Sequence, residues 1–562
     1  MSGRNHRGFE AAMDNYQRLI EDLPARLPPG RSQRAGEKSI RDAVAALPLA
    51  NPVQAIREVD QLLDGMLATT WSGAERIAAL EHLRAPVESL CGGIERQLAA
   101  EPHPLTAAAA EWAAAAQRVQ WMMLGGYAVG LHELCAPAGK VPMFKGKFAV
   151  TALVRALTHA DRVLMWSYRQ YQSPPGGVWR RVHALHAFAG ELALADQPVE
   201  NALAGGMPLT ARTAYAQLLL LAMSNPYRFS ARELQEARQV IRCVAGECVL
   251  ARAGGEGIGV DTDSDAGPGY IAEERLATGS GVLAVDVSPV ERMFERSALL
   301  PADIDAIDLP RPGGGVVTTS VRFLDRLRMA WGPAPRGHAR LTARHALDVV
   351  VGMHALHYAL AGNLDFGTFV RRVHGDAIMV GTHELASAWL ATADTTRPQV
   401  FRADVLDQSG GGYRMRLHGA EGLRMRIGEV IGLAPVDDED DRDWMVGVIR
   451  WLRHDGDSEL LGVELLRREA RAAGLRPVTA EGETLAPLRA VELMNGREVD
   501  NLSVLVTSGL ARNIVAAEVV LPARASDWNS HASVATWRTG DTEPLGPACF
   551  RVTLERDATN AA

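Results

Sequence analysis

The spacing of apolar residues along this chain changes from helical to strand-like, and no single-domain fold accommodates both halves of that pattern. Over about the first 250 residues the period is helical. Asn51-Pro52 reads as an N-cap followed by proline at the first helical position, and Ile56, Val59, Leu63 and Met66 then recur at helical intervals. Ser72 and Glu75 have capping-box spacing, and Ile77, Leu80, Leu83, Leu90 and Ile94 continue the stripe, with Pro86 expected to bend or break it. Ser230 and Glu233 repeat the signature before Leu234, Ala237 and Ile241. The alanine-rich run from Thr106 to Ala116 and the triplet Trp179, Val182 and Leu185 fall between them. The pattern fits a stack of helical hairpins and shows no fixed-period repeat.

From Gly254 to Gly315 glycine, aspartate and proline cluster in GGEGIGVDTDSDAGPGY and LPRPGGGVV, which reads as a linker or a small α/β connection. A short helical pattern from Ser320 to Trp331 follows. The C-terminal third alternates with period two: VFRADVL at 400–406, YRMRL at 413–417, WMVGVIRWL at 444–452 and LLGVELL at 460–466, separated by the turns SGGG and HDGD. Short strands at this spacing predict a small barrel or sandwich. Further strands are expected near Ser503–Thr507 and Asn513–Leu521, within a β-rich stretch from Pro487 to Glu555.

With 562 residues, 47% of them hydrophobic and 22% charged, the composition is that of a globular chain of several domains. A net charge of −8 argues against general nucleic-acid binding, which needs a basic surface. Lysine stands only at positions 38, 140, 145 and 147, so nearly all the positive charge is arginine, whose planar fork suits phosphates and guanine edges. Five scattered cysteines without a CxxC pair indicate neither a zinc site nor a disulfide framework. The N-terminal segment lacks a signal core and no apolar run is long enough to span a bilayer, so a cytoplasmic location without membrane insertion is expected.

One turn stands out among the strands. Asp407-Gln408-Ser409-Gly410-Gly411-Gly412 has the form D-x-S-x-x-G, which alone is an ordinary hairpin signal. It is followed by Gly447, Val448 and Trp451 in one strand and by Gly462, Val463 and Leu465 in the next. That order resembles PilZ domains, over about a quarter of the chain. The resemblance implies an antiparallel β-barrel and, as ligand, the second messenger cyclic di-GMP. It also calls for an R-x-x-x-R element just before the first barrel strand. Arg336 and Arg340 overlap with Arg340 and Arg344 in two such pairs, both ahead of HALDVVVGMHAL, the expected first strand. Arg397 and Arg402 have the wrong spacing.

The chemistry suits that ligand. Arginine forks bond phosphate oxygens or the guanine O6/N7 edge and stack on the base. The Asp407 carboxylate accepts from the guanine donor edge, Ser409 donates to phosphate or base, and Gly412 permits close backbone approach. One departure from the pattern matters. Nearly seventy residues separate the arginines from Asp407, so a segment near 358–396 is expected to be an insertion, which loop-closure entropy tolerates.

Other signals are weaker. Asp261, Asp263 and Asp265 resemble a calcium loop, but the glycine falls one place late and position twelve is Ala272. His183/His186 and His354/His357 lack a third ligand nearby, and Gly456-Asp-Ser-Glu-Leu lies in a hairpin rather than a strand-to-helix elbow. No Walker, kinase or dinucleotide signature occurs, nor GGDEF or EAL motifs, so catalysis and metal binding are not expected.

The expected organisation is multidomain α+β: a helical domain over 1–250, a connecting segment over 251–325, a PilZ-like barrel over 326–470 and an accessory β-rich segment over 471–562. The expected function is a non-enzymatic cyclic di-GMP receptor. Through its helical domain it would engage an unidentified protein partner and act on motility, attachment or exopolysaccharide. The alternative is an adaptor whose degenerate barrel no longer binds nucleotide.

Overall fold

The structure is a computed structural model. It describes residues 15–21, 23, 26, 36–99, 101, 103–200, 208–255, 257–278, 281–298, 305–332, 341–374, 397–420, 422–436, 443–455, 458–494, 501–507, 514–522, 534–546 and 549–556. These fall into two compact units, Met1–Glu101 with Leu105–Pro335, and Pro102–Pro104 with Arg336–Ala562.

After a short helical stretch over residues 15–21, the first unit continues with helices α1 (Glu37–Ala45), α2 (Pro52–Ala68), α3 (Gly73–Gln97), α4 (Ala107–Cys135), α5 (Gly146–Arg169), α6 (Val178–Glu191), α7 (Ala211–Met223) and α8 (Ala231–Val244). Asn51 caps α2 by accepting from the Gln54 amide, and the Ser230–Glu233 capping box on α8 is fully formed. Ser72 makes no such bond, so the capping box expected at Ser72 and Glu75 is absent. Nor does Pro86 break α3, which continues through it. The proline forfeits one backbone hydrogen bond, but Leu83, Val87 and Leu90 on either side are buried and hold both turns in place. In α4 and α5 buried residues occur on almost every face, the mark of helices at the centre of a bundle.

The glycine-rich region is structured rather than a simple linker. Strands β1 (Val249–Arg252), β2 (Gly257–Asp261), β3 (Gly269–Ile271) and β4 (Val282–Asp286) form an antiparallel sheet in the order β1-β4-β2-β3. Helices α9 (Glu273–Thr278) and α10 (Ser288–Ala298), the hairpin β5 (Ala306–Pro310) and β6 (Val316–Ser320), and helix α11 (Val321–Trp331) follow. Val260, Phe294, Leu309, Leu327 and Trp331 join the same apolar core as the helices.

The second unit contains two barrels. The first comprises β8 (Ala346–Val351), β9 (Phe401–Ser409), β10 (Gly412–His418), β11 (Val430–Pro435), β12 (Met445–Asp455) and β13 (Ser458–Arg467). Pairing runs β8-β9-β10-β13-β12-β11 and back to β8, all antiparallel, so the sheet closes on itself. The stretch expected as one strand over HALDVVVGMHAL turns at Gly352, whose φ is 91°, into helix α12 (Met353–Leu360), and α13 (Phe366–His374) comes next. The second barrel is also closed, with strands β14 (Ala470–Thr479), β15 (Leu488–Leu493), β16 (Asn501–Val506), β17 (Ile514–Val520), β18 (Val534–Pro544) and β19 (Phe550–Arg556) in the order β14-β15-β16-β19-β18-β17. One core runs through both: Val350, Leu356, Val446 and Val448 pack in a single cluster with Val491, Leu493 and Leu505. Each such side chain contributes about 1.5–3 kcal/mol on burial.

Candidate functional site

The D-x-S-x-x-G turn joins β9 to β10. Ser409 pairs with Gly412, Gln408 with Tyr413 and Asp407 with Arg414, and the register then shifts by one residue between Arg414 and Met415. This bulge resets the alternation of β9. Before it Phe401, Ala403 and Val405 are buried and Arg402 and Asp404 exposed; beyond it Asp407 is half-buried. Asp407 and Arg414 form a 3.6 Å ion pair across the strands, and further along the hairpin His418 Nε2 lies 2.8 Å from Asp404.

A short strand, β7 (Leu341–Thr342), extends this surface. Thr342 pairs with Asp407 and Leu341 with Gln408, on the same edge of β9 that β8 uses further along. Between β7 and β8 the chain stays extended: the Ala343 amide donates to the Leu406 carbonyl, and the Val405 amide to that of His345. Residues 341–349 thus run along one edge of β9. Arg344 is exposed in this stretch, two residues from the partner of Asp407. Arg336 and Arg340 lie outside the described residues; Leu341, next in the chain, stands opposite Gln408.

On the other side β10 pairs with β13, Gly412 opposite Glu464 and Arg414 opposite Gly462. A Cβ on Gly412 would overlap the Val463 carbonyl, so only glycine fits there. A Cβ on Gly462 would overlap the Trp451 indole, which lies across that glycine from β12. The strand next to Arg414 therefore carries an aromatic ring laid over its backbone. Asp407, Ser409 and Gly412 are legible in the sequence as a turn motif, and Arg414 is not part of that motif. The period-two alternation of YRMRL, set opposite Asp407 in the hairpin, was the signal that could have found it.

The weaker signals resolve into structure. The Asp265 carboxylate accepts from the Gly177 and Arg180 amides at the start of α6, and Asp261 pairs with Arg275 at 2.5 Å. Asp263 pairs with Arg18 at 2.8 Å. His183 bonds the Tyr215 hydroxyl and the Ala266 carbonyl, and His357 the Ala473 carbonyl. The one group among the described residues whose donor atoms converge as metal ligands would is His103, His454 and Glu459, all within 4.8 Å of one another. Both Glu459 oxygens there are taken, by His103 Nε2 at 3.1 Å and His454 Nδ1 at 2.8 Å. His454 and Glu459 face each other across the β12–β13 hairpin, whereas His103 comes from a distant segment that no spacing rule brings to them. All five cysteines are free and buried, and burial pushes Cys91, Cys248 and Cys549 up to about 12, which leaves them unreactive thiols.

A closed six-stranded antiparallel barrel with this hairpin on its wall defines a PilZ domain, carried here behind a helical region. Comparison with known families agrees. Residues 38–253 match the N-terminal domain of the cyclic-di-GMP receptor FimW, and residues 258–399 and 381–472 match its middle PilZ domain. The cyclic-di-GMP receptor FimW of Pseudomonas aeruginosa is 22% identical over 510 residues, 82% of each chain. The chain belongs to this PilZ cyclic-di-GMP receptor family. Among the described residues no helix is long and apolar enough to cross a membrane.

Proposed function

We propose that this chain is an intracellular, non-enzymatic receptor that binds cyclic di-GMP on the barrel wall around the β9–β10 turn. Asp407 accepts from a guanine donor edge and Ser409 donates to phosphate or base, while Gly412, packed against the Val463 carbonyl, holds the turn that presents them. Arg344, with Arg336 and Arg340, supplies guanidinium forks for the phosphates and the second base edge. The observation that supports this reading is β7: Leu341 and Thr342 pair with Gln408 and Asp407, and the exposed Arg344 follows two residues later. Closure of the arginine side chains over the ligand is the switch, and the helical unit passes the signal to a protein partner in control of motility, attachment or polysaccharide.

A second reading, an adaptor with a degenerate barrel, draws support from the Arg414–Asp407 ion pair, which provides the carboxylate with a partner within the protein. Isothermal titration of the full chain with cyclic di-GMP separates the two. The receptor reading expects binding that weakens roughly 10- to 100-fold in both Arg340→Ala and Asp407→Ala, the equivalent of one charge-assisted hydrogen bond. No heat from the folded wild type favours the adaptor, and binding that survives both substitutions moves the site elsewhere.

A further inference from the structure

Lysine is scarce in this chain, yet Lys140, Lys145 and Lys147 occur within eight positions of one another, the first two in the loop between α4 and α5 and the third in the first turn of α5. All three are exposed. Between them, Met143 and Phe144 are 81% and 95% exposed, the most exposed large apolar side chains among the described residues. Phe144 takes a left-handed backbone conformation, with φ of 64°, which bulky residues avoid. An aromatic residue held in that conformation and directed into water stabilises nothing within the fold.

Along the chain the charge in this stretch is one-sided. No aspartate or glutamate occurs between Glu133 and Asp161. Glu133 is engaged by Arg76 at 2.7 Å, and Asp161 is buried against Arg238 at 2.8 Å. The Lys145 ammonium stands 5.2 Å over the Phe148 ring, at the root of the loop. In an acidic protein the loop is thus a cationic finger with an apolar tip.

We propose that this loop docks the protein on an anionic lipid surface, with Phe144 and Met143 entering the boundary between headgroups and acyl chains and the lysines meeting the headgroup phosphates. Charge complementarity selects an anionic surface. The residue type selects a fluid one: ammonium groups on flexible stems act as point charges that suit mobile headgroups, whereas a fixed array of carboxylates is better matched by arginine forks, which this chain uses almost everywhere else. The docking is peripheral and reversible, since two apolar side chains and three charges fall well short of a permanent anchor.

The test is sedimentation of the full-length protein with phosphatidylcholine vesicles containing phosphatidylglycerol, against phosphatidylcholine alone, at low and high salt. The wild type is expected to partition at least about tenfold more strongly onto the anionic vesicles, less so in high salt. Lys145→Ala with Lys147→Ala is expected to lower binding by about 25-fold, from roughly fivefold per lysine. Phe144→Gly with Met143→Ser is expected to abolish it while keeping the thermal midpoint unchanged or higher, because glycine relieves the left-handed backbone. Wild-type protein that ignores both vesicle types overturns the proposal, as do tip or lysine variants that sediment like the wild type.

Discussion

Arg76 offers the sharpest test of how the helical unit is held together. Its guanidinium is fully buried. Nε and one terminal nitrogen grip Glu133 at 2.7 and 2.8 Å, that same nitrogen reaches the Thr69 carbonyl at 2.6 Å, and the other bonds the Met66 carbonyl, so one side chain ties α3 to the ends of α2 and α4. Replacing it with leucine leaves a carboxylate only 9% exposed, held by the Trp71 amide at 3.1 Å and by Arg26 at 3.9 Å, and removes the donor from both carbonyls. Loss of one member of such a pair costs about 3–5 kcal/mol, mainly for the charge left behind. With a urea dependence of about 2–3 kcal/mol per molar, the unfolding midpoint should fall by roughly 1–2 M. Ellipticity at the helical band is the assay, since most helix lies in this unit. The double variant Arg76→Leu, Glu133→Leu should recover a substantial part of the loss, because no buried charge is then stranded. A single-variant shift below about 0.5 M, or a double variant as unstable as the sum of the two singles, would refute the argument.

Two further outcomes follow from the barrel and the buried histidines. Gly412→Ala should destabilise the barrel unit by about 2 kcal/mol or more, because its Cβ collides with the Val463 carbonyl. Gly410→Ala, two residues away with open space around it, should stay within about 0.5 kcal/mol in the same melt; equal effects would discredit the steric account. Burial pushes His159, in the helical unit, down to about 4, and His357, in the barrel unit, down to about 3, from the usual 6.5. Below pH 6.5 the unfolded chain takes up protons that the folded chain refuses, so stability is full above that value and is lost as pH falls toward about 4 in the helical unit and about 3 in the barrel unit. Thermal midpoints of both units should drop across that window, and midpoints flat down to about pH 5 would rule the effect out.

What the sequence disclosed followed the range of its interactions. Alternation located the barrel strands at 400–406, 413–417, 444–452 and 460–466, because one buried face imposes period two. The bulge in β9 was invisible, being an offset against a partner strand rather than a local property. Closure of the second barrel rests on β14 meeting β17 and β16 meeting β19, pairings that no local pattern encodes. The site was half legible: Asp407, Ser409 and Gly412 announce themselves as a turn, whereas the approach of residues 341–342 to Asp407 depends on register between segments far apart in sequence. The Ser72 capping box failed for a related reason, since a cap motif offers a hydrogen bond that tertiary packing is free to decline.

The core shared by the two barrels sets a boundary that the sequence does not mark. Only Arg468 and Glu469 separate β13 from β14, and α12 sits with one side against β8 and β11 and another against β14 and β15. A chain cut at this junction would keep every residue of the hairpin yet lay bare Leu356, Val446 and Val448, now covered by strands of the second barrel. The smallest piece able to fold as a barrel is therefore the pair, and an excised single barrel would go into solution with an open seam, prone to self-association through it.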